Sequence, residues 1–139
     1  MALIDRIFAI GSATDFHRAC LDVFAYQASH CPVYAEYLTL LNRKPETIER
    51  VADIPFLPIE FFKKHRVISA TGTPQVIFSS SGTTGSIQSK HHVADVTVYK
   101  RSFRAAFEQF YGSPGGLAIL ALLPSYSERE GSSLIYMVD

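Results

Sequence analysis

Seven consecutive small residues, Ser79-Ser80-Ser81-Gly82-Thr83-Thr84-Gly85, follow the apolar run Val76-Ile77-Phe78 and precede Lys90, His91 and His92. Such a stretch belongs in a loop, because Gly, Ser and Thr favour turns over element interiors. The β-branched and aromatic run before it predicts a strand, and His91-His92-Val93 predicts a returning one. Hydroxyls on Ser and Thr can donate hydrogen bonds to phosphoryl oxygens. The two glycines let backbone N–H groups turn toward an anion with no Cβ in the way. The loop therefore reads as a phosphate grip. It is not a Walker loop, in which Lys directly follows the last Gly, since Ser86-Ile87-Gln88-Ser89 intervene before Lys90. Nor does a Gly-x-Ser-x-Gly nucleophile elbow occur around it. The competing reading of the same composition is a surface loop or linker.

On either side the chain alternates helical and strand patterns, which predicts an α/β fold. Gly11-Ser12-Ala13-Thr14-Asp15 offers helix caps, and Phe16, Cys20, Val23, Phe24 and Gln27 recur at helical spacing up to about His30. Pro32 suits the first turn of a second helix, with Tyr34, Tyr37, Leu38 and Leu41 on one face and an end at Asn42 to Lys44. Pro45-Glu46-Thr47 starts a shorter one. Pro55 and Pro58 forbid a continuous helix around Phe56-Leu57, so that segment crosses in extended form before a helical turn at Ile59 to Lys64. Val67-Ile68 reads as a strand. Asp95 caps a helix in which Val96, Tyr99, Phe103, Ala106, Phe107 and Phe110 line one face, and Gly112-Ser113-Pro114-Gly115-Gly116 ends it. Leu117 to Leu123 is wholly apolar, as in a buried parallel strand, and Ser132-Ser133 begins a last helix. The expected architecture is a set of N-terminal helices, residues 1–50, leading into a mixed sheet flanked by helices over residues 51–139. The whole forms a single partial domain. Leu134 to Val138 stops in mid-pattern with no cap, which predicts that the chain is an N-terminal portion of something longer.

Composition narrows the partners. Hydrophobic residues make up 47% and charged residues 19%, with thirteen acids against thirteen bases, so neither disorder nor a polyanion-binding surface is indicated and nucleic acid is not an expected partner. Cys20 and Cys31 form neither a metal pattern nor a disulfide framework. No apolar run approaches the ~18 residues of a membrane span, and Asp5 interrupts any signal core. A cytoplasmic location is expected.

The Ser-Gly-Thr-Thr-Gly core resembles the phosphate-binding motif of the adenylate-forming superfamily, although the usual Gly-x-Pro-Lys ending is replaced here by residues running on to Ser89, Lys90, His91 and His92. Two further segments resemble the acyl-protein synthetases, the long-chain-fatty-acid ligases of the bacterial luminescence fatty acid reductase complex. These are Asp53-Ile54-Pro55-Phe56-Leu57-Pro58-Ile59-Glu60-Phe61-Phe62-Lys63 and Leu122-Leu123-Pro124-Ser125-Tyr126, the latter followed by Ser132-Ser133-Leu134. In that family the loop is followed by Ser and His residues, which Ser89, His91 and His92 match. The resemblance spans roughly residues 30 to 139, with its motifs in the family's order. It implies the N-terminal part of an ATP-dependent ligase that activates a fatty or other carboxylic acid as an acyl adenylate and passes the acyl group to a protein thiol. By the same resemblance Ser80, Ser81, Gly82, Thr83, Thr84 and Gly85 hold the β- and γ-phosphates of ATP, with Thr83 and Thr84 as the foremost side-chain donors. Mg2+ accompanies the nucleotide. The relatives' later parts, an aromatic-Gly-x-Thr-Glu segment, a ribose-binding Asp, a C-terminal Lys and an acyl-accepting Cys, are not located in this chain, which is therefore expected to be inactive alone.

Several residues keep two readings. Lys90 adds a cation beside the phosphates, or faces solvent from a strand. His91 or His92 donates hydrogen bonds to nucleotide or acyl phosphate. Lys63-Lys64-His65-Arg66 is a phosphate patch or an ordinary charged helix end. Ser125 and Tyr126 line a cleft at a strand's C-terminal end, where α/β sheets place ligand groups, while Phe61, Phe62 and Tyr99 line an acyl pocket or pack in a core. The possible partners are a carboxylic acid, an acyl-acceptor protein and, through exposed apolar surface around Leu117 to Leu123 and Leu134 to Val138, a second copy or another chain. Rival readings are a non-enzymatic nucleotide- or partner-binding module and a fragment of a phenylacetate-type CoA ligase.

Overall fold

A computed structural model describes residues 2–80, 87–123 and 131–138. The chain divides into two compact units, Met1–Gly72 and Thr73–Asp139.

The first unit is helical. Helix α1 (Leu3–Phe8) leads to α2 (Ala13–His30), and α3 (Pro32–Leu40) follows after one intervening residue. The start of α2 is local chemistry: Ser12 Oγ accepts from the Asp15 amide at 3.1 Å and donates to the Asp15 carboxylate at 2.7 Å. That hydrogen bond lowers the Asp15 pKa from its ordinary value. Pro32 occupies the first turn of α3, where its missing N–H costs nothing. The helix ends on Asn42, whose φ of 52° is left-handed. The Arg43 amide reaches back to the Leu38 carbonyl at 2.9 Å, closing the last turn in the manner of a Schellman motif.

Phe24, Ala28, Cys31, Tyr34 and Leu38 form the core of this unit, with Leu38 only 2% exposed. Val33, Tyr37, Ile48, Ile54, Leu57 and Val67 pack against it. Leu41, expected on the same face, is the C-cap residue of α3 and is 46% exposed. Short 3-10 turns occupy Pro45–Thr47 and Val51–Asp53. The extended Pro55 to Pro58 segment is tied to α3 by two tyrosines: Tyr34 donates to the Pro55 carbonyl at 2.7 Å and Tyr37 to the Phe56 carbonyl at 3.3 Å. A single helical turn, α4 (Phe61–Lys64), follows.

The second unit contains strand β1 (Val76–Ser79), strand β2 (Lys90–Val93), helix α5 (Val96–Tyr111), a 3-10 turn at Pro114–Gly116 and helix α6 (Ser133–Val138). β1 and β2 pair antiparallel, with Val76 opposite Val93, Ile77 opposite His92, Phe78 opposite His91 and Ser79 opposite Lys90. Two strands alone are marginal in water, and here an aromatic cluster backs them. Phe78, 3% exposed, has its ring 4.9 Å from Tyr99 of α5 and 5.3 Å from Tyr136 of α6. α5 begins where Asp95 accepts from the Thr97 amide at 2.8 Å and from the Thr97 hydroxyl at 2.6 Å. Gly112, at φ 75°, ends it. Gln75 adds a long-range contact, its side-chain carbonyl accepting from the Val96 amide at 2.8 Å.

The chain is thus mixed helix and sheet, as the alternating pattern predicts, but the sheet is smaller than expected. Among the described residues only β1 and β2 form a ladder. Val67-Ile68 is not a strand; Ile68 is buried at 8% exposure without a pairing partner. Leu117 to Leu123 is not a strand either, and Leu120 and Leu122 lie almost fully exposed at 97% and 104%. An apolar run becomes a buried strand only where neighbouring strands accept its hydrogen bonds, and the described residues offer it none. Among those residues no helix is long and apolar enough to cross a membrane.

Candidate functional site

Of the residues singled out by sequence, Ser80, Ser89, Lys90 and His91 lie at the end of the β1–β2 hairpin where the connecting segment departs. Ser81, Gly82, Thr83, Thr84 and Gly85 lie outside the described residues, as do Ser125 and Tyr126. The described part fixes the base of the loop. Beyond the last ladder pair, Ser79 and Lys90, the Ser80 amide donates to the Ser89 carbonyl at 3.0 Å. The Ser89 amide in turn donates to Ser80 Oγ at 3.0 Å. This reciprocal pair clasps the two strand ends where the connecting segment departs. Ser80 Oγ acts as an acceptor in the clasp.

The clasp is anchored from the other side by α6's entry. The Ser79 amide donates to the Gly131 carbonyl at 2.8 Å. Gly131 sits at φ 75°, and a Cβ there would lie 3.3 Å from the Ile77 carbonyl oxygen and 3.6 Å from the Ser79 amide nitrogen. Both the backbone angle and the close approach call for glycine. Sequence reading passed over Gly131, Gln75 and this anchoring. A Gly beside a helix start was the available signal for the first, but its partner lies some fifty residues earlier in the chain.

Ser80, Lys90 and His91 are all solvent-accessible at this end of the hairpin. His91, directly across the ladder from Phe78, has its ring 6.4 Å from the Phe78 ring and 6.5 Å from Tyr99. These apolar neighbours desolvate the imidazole and lower its pKa, so it is held neutral at neutral pH and offers one N–H donor and one acceptor nitrogen. The structure therefore brings together Ser80, Ser89, Lys90 and His91, four residues that carry donors of three kinds, beside the clasp. His92, on the opposite face of β2, is partly buried.

The other candidates separate. Phe61 and Phe62 belong to the first unit and Tyr99 to the second. Phe61 packs edge-on against Tyr37 at 5.6 Å and stacks with His65 at 5.0 Å. Tyr99 is taken up by the aromatic cluster. Lys63, Lys64, His65 and Arg66 are exposed, with Lys63 and Lys64 in the last turn of α4.

Among the described residues no group of three or more His, Cys, Asp or Glu side chains is placed to hold a metal. The hairpin sequence from Val76 to Val93 contains no Asp or Glu, so it supplies no carboxylate ligand for Mg2+. Comparison with protein-family models, with curated proteins and with solved structures finds no match to this chain.

Proposed function

We propose that the hairpin is the phosphate-gripping arm of an ATP-dependent enzyme of the adenylate-forming type, activating a fatty or other carboxylic acid as an acyl adenylate for transfer to a protein thiol. The chain would contribute the N-terminal part of that enzyme, with the described two strands as the start of a larger mixed sheet. The observation that carries the reading is the Ser80–Ser89 clasp. It joins the two strands at the base of the segment of glycines and hydroxyls, with Lys90 and a neutral His91 beside it. The order strand, hydroxyl-rich loop, antiparallel strand, capped helix also accords with the resemblance drawn from the sequence.

In this reading Ser80, Ser81, Gly82, Thr83, Thr84 and Gly85 surround the β- and γ-phosphates, and Lys90 and His91 add positive charge and a hydrogen bond. Adenylation asks little more of this region than positioning and neutralising phosphoryl charge. Mg2+ would arrive on the nucleotide, held by phosphate oxygens and water rather than by the hairpin.

Calorimetric titration of the chain with MgATP and with pyrophosphate tests the reading. Saturable binding by both, lost in the double variant Thr83→Val with Thr84→Val, is expected, without ATP–pyrophosphate exchange by the chain alone. Absence of binding by the folded chain would leave the loop as a connector and defeat the proposal. Binding that survives the double variant unchanged would move the site elsewhere.

A further inference from the structure

The helical unit holds a cleft of about 560 Å³ that the hairpin reading does not use. Its walls come from α1, α2, α3, the extended Pro55 to Pro58 segment and α4, with Phe16, Cys20, Val23, Phe62 and Val67 among the lining side chains. Protein interiors are ordinarily close-packed. A void of this size, within the ~300–1,000 Å³ typical of small-molecule sites, is a departure from that packing. Its rim carries aromatic rings that water surrounds, Phe16 at 50% and Phe56 at 74% exposure. The wall bearing Phe56 is held in place by the Tyr34 and Tyr37 hydroxyls on the Pro55 and Phe56 carbonyls, which lowers the ordering cost of binding.

We propose that this cleft is a binding site for an uncharged apolar small molecule, a medium-length alkyl chain or an aryl group. The charge of the ligand follows from the lining. None of the lining residues is Asp, Glu, Lys, Arg or His, and an ionised group taken into such surroundings without a partner is strongly disfavoured. The polar content of the lining is small, the exposed Gln27 carboxamide and the part-buried Ser69 hydroxyl besides the Tyr34 hydroxyl already engaged on Pro55. It suits a neutral hydroxyl or carbonyl at one end of the ligand. The inference stands apart from the nucleotide reading of the hairpin, and no nucleotide enters its test, so either can fail alone.

The test uses the whole chain and the uncharged fluorophore N-phenyl-1-naphthylamine, displaced by 1-decanol and, separately, by decanoate. Saturable fluorescence enhancement is expected, reversed by 1-decanol at concentrations several-fold lower than by decanoate. Val23→Phe, which fills the cleft, should weaken probe binding roughly tenfold. Because that variant can perturb folding, a second measurement uses the natural chain. Cys20 lines the cleft and is part-exposed, whereas Cys31 is 3% exposed. Bound 1-decanol should slow alkylation of Cys20 by N-ethylmaleimide, with circular dichroism reporting any general unfolding, since Cys31 also lines the cleft. Probe binding undiminished in a folded Val23→Phe chain, alkylation of Cys20 indifferent to 1-decanol, or displacement by decanoate at least as strong as by 1-decanol would each overturn the proposal.

Discussion

Replacing Tyr34 by Phe isolates one hydroxyl that ties α3 to the extended Pro55 to Pro58 segment. The side chain is 7% exposed, its ring lies edge-on to Phe24 at 6.1 Å, and its O–H donates to the Pro55 carbonyl at 2.7 Å. Tyr34→Phe keeps the ring and strands that carbonyl in a part-buried setting, a loss of about 1–3 kcal/mol. Burial, with a smaller contribution from neighbouring Tyr37, pushes the Tyr34 pKa from 10.0 up to about 12. The folded state thus holds the phenolic proton more tightly than the unfolded state. The associated stability is fully present below about pH 10 and is lost as pH rises through 12. Urea denaturation followed by helical circular dichroism, at neutral and at strongly alkaline pH, measures both effects. The variant should be weaker at neutral pH yet lose less stability than the natural chain on alkalinisation. Ultraviolet difference titration should show one of the seven tyrosines ionising well after the exposed ones. Equal stability of the two chains at neutral pH, or no late-ionising phenol, would refute the reasoning.

Three further outcomes follow from the second unit. His91 has a lowered pKa because its ring is desolvated, so the folded state binds its proton less readily than the unfolded state. Stability is present above the ordinary value of 6.5 and is lost as pH falls below it; thermal melts of His91→Gln should show a flatter acid limb than the natural chain, and identical limbs would count against the assignment. Gly131→Ala introduces a Cβ 3.3 Å from the Ile77 carbonyl oxygen at a φ of 75°, which should cost on the order of 1–3 kcal/mol and loosen the hairpin base. Hydrogen exchange of the Ser79 amide checks it, faster exchange being expected and an unchanged rate refuting it. Leu120→Glu with Leu122→Glu charges two nearly fully exposed apolar side chains and should reduce self-association in light scattering, while an unaltered mass distribution would remove that segment as an association surface.

What sequence made legible was local. Ser12 and Asp95 accept from amides within three residues of themselves, and Pro32 supplies a pre-set φ at the first turn, so the starts of α2, α3 and α5 could be placed from local chemistry alone. The hairpin was legible for the same reason, since a loop of glycines and hydroxyls between two short strand-like runs has few other solutions. Strands that depend on distant partners were not. Val67-Ile68 and Leu117 to Leu123 have the composition of strands, yet the described residues provide no neighbour to pair with them. The anchor of Ser79 on Gly131 and the cap of Val96 by Gln75 join residues far apart in sequence, and no spacing rule reaches that distance. The cleft of the helical unit was invisible for a related reason: Phe16, Cys20 and Val23 show the same periodicity whether they fill a core or line a void.

Amide chemical-shift mapping with MgATP tests the central claim most directly, because it reads each residue of the loop by itself. The account predicts saturable shifts concentrated between Ser79 and His91, with the helical unit largely unmoved. A folded chain whose amides in that interval stay put at saturating nucleotide, or whose shifts fall elsewhere, would contradict it.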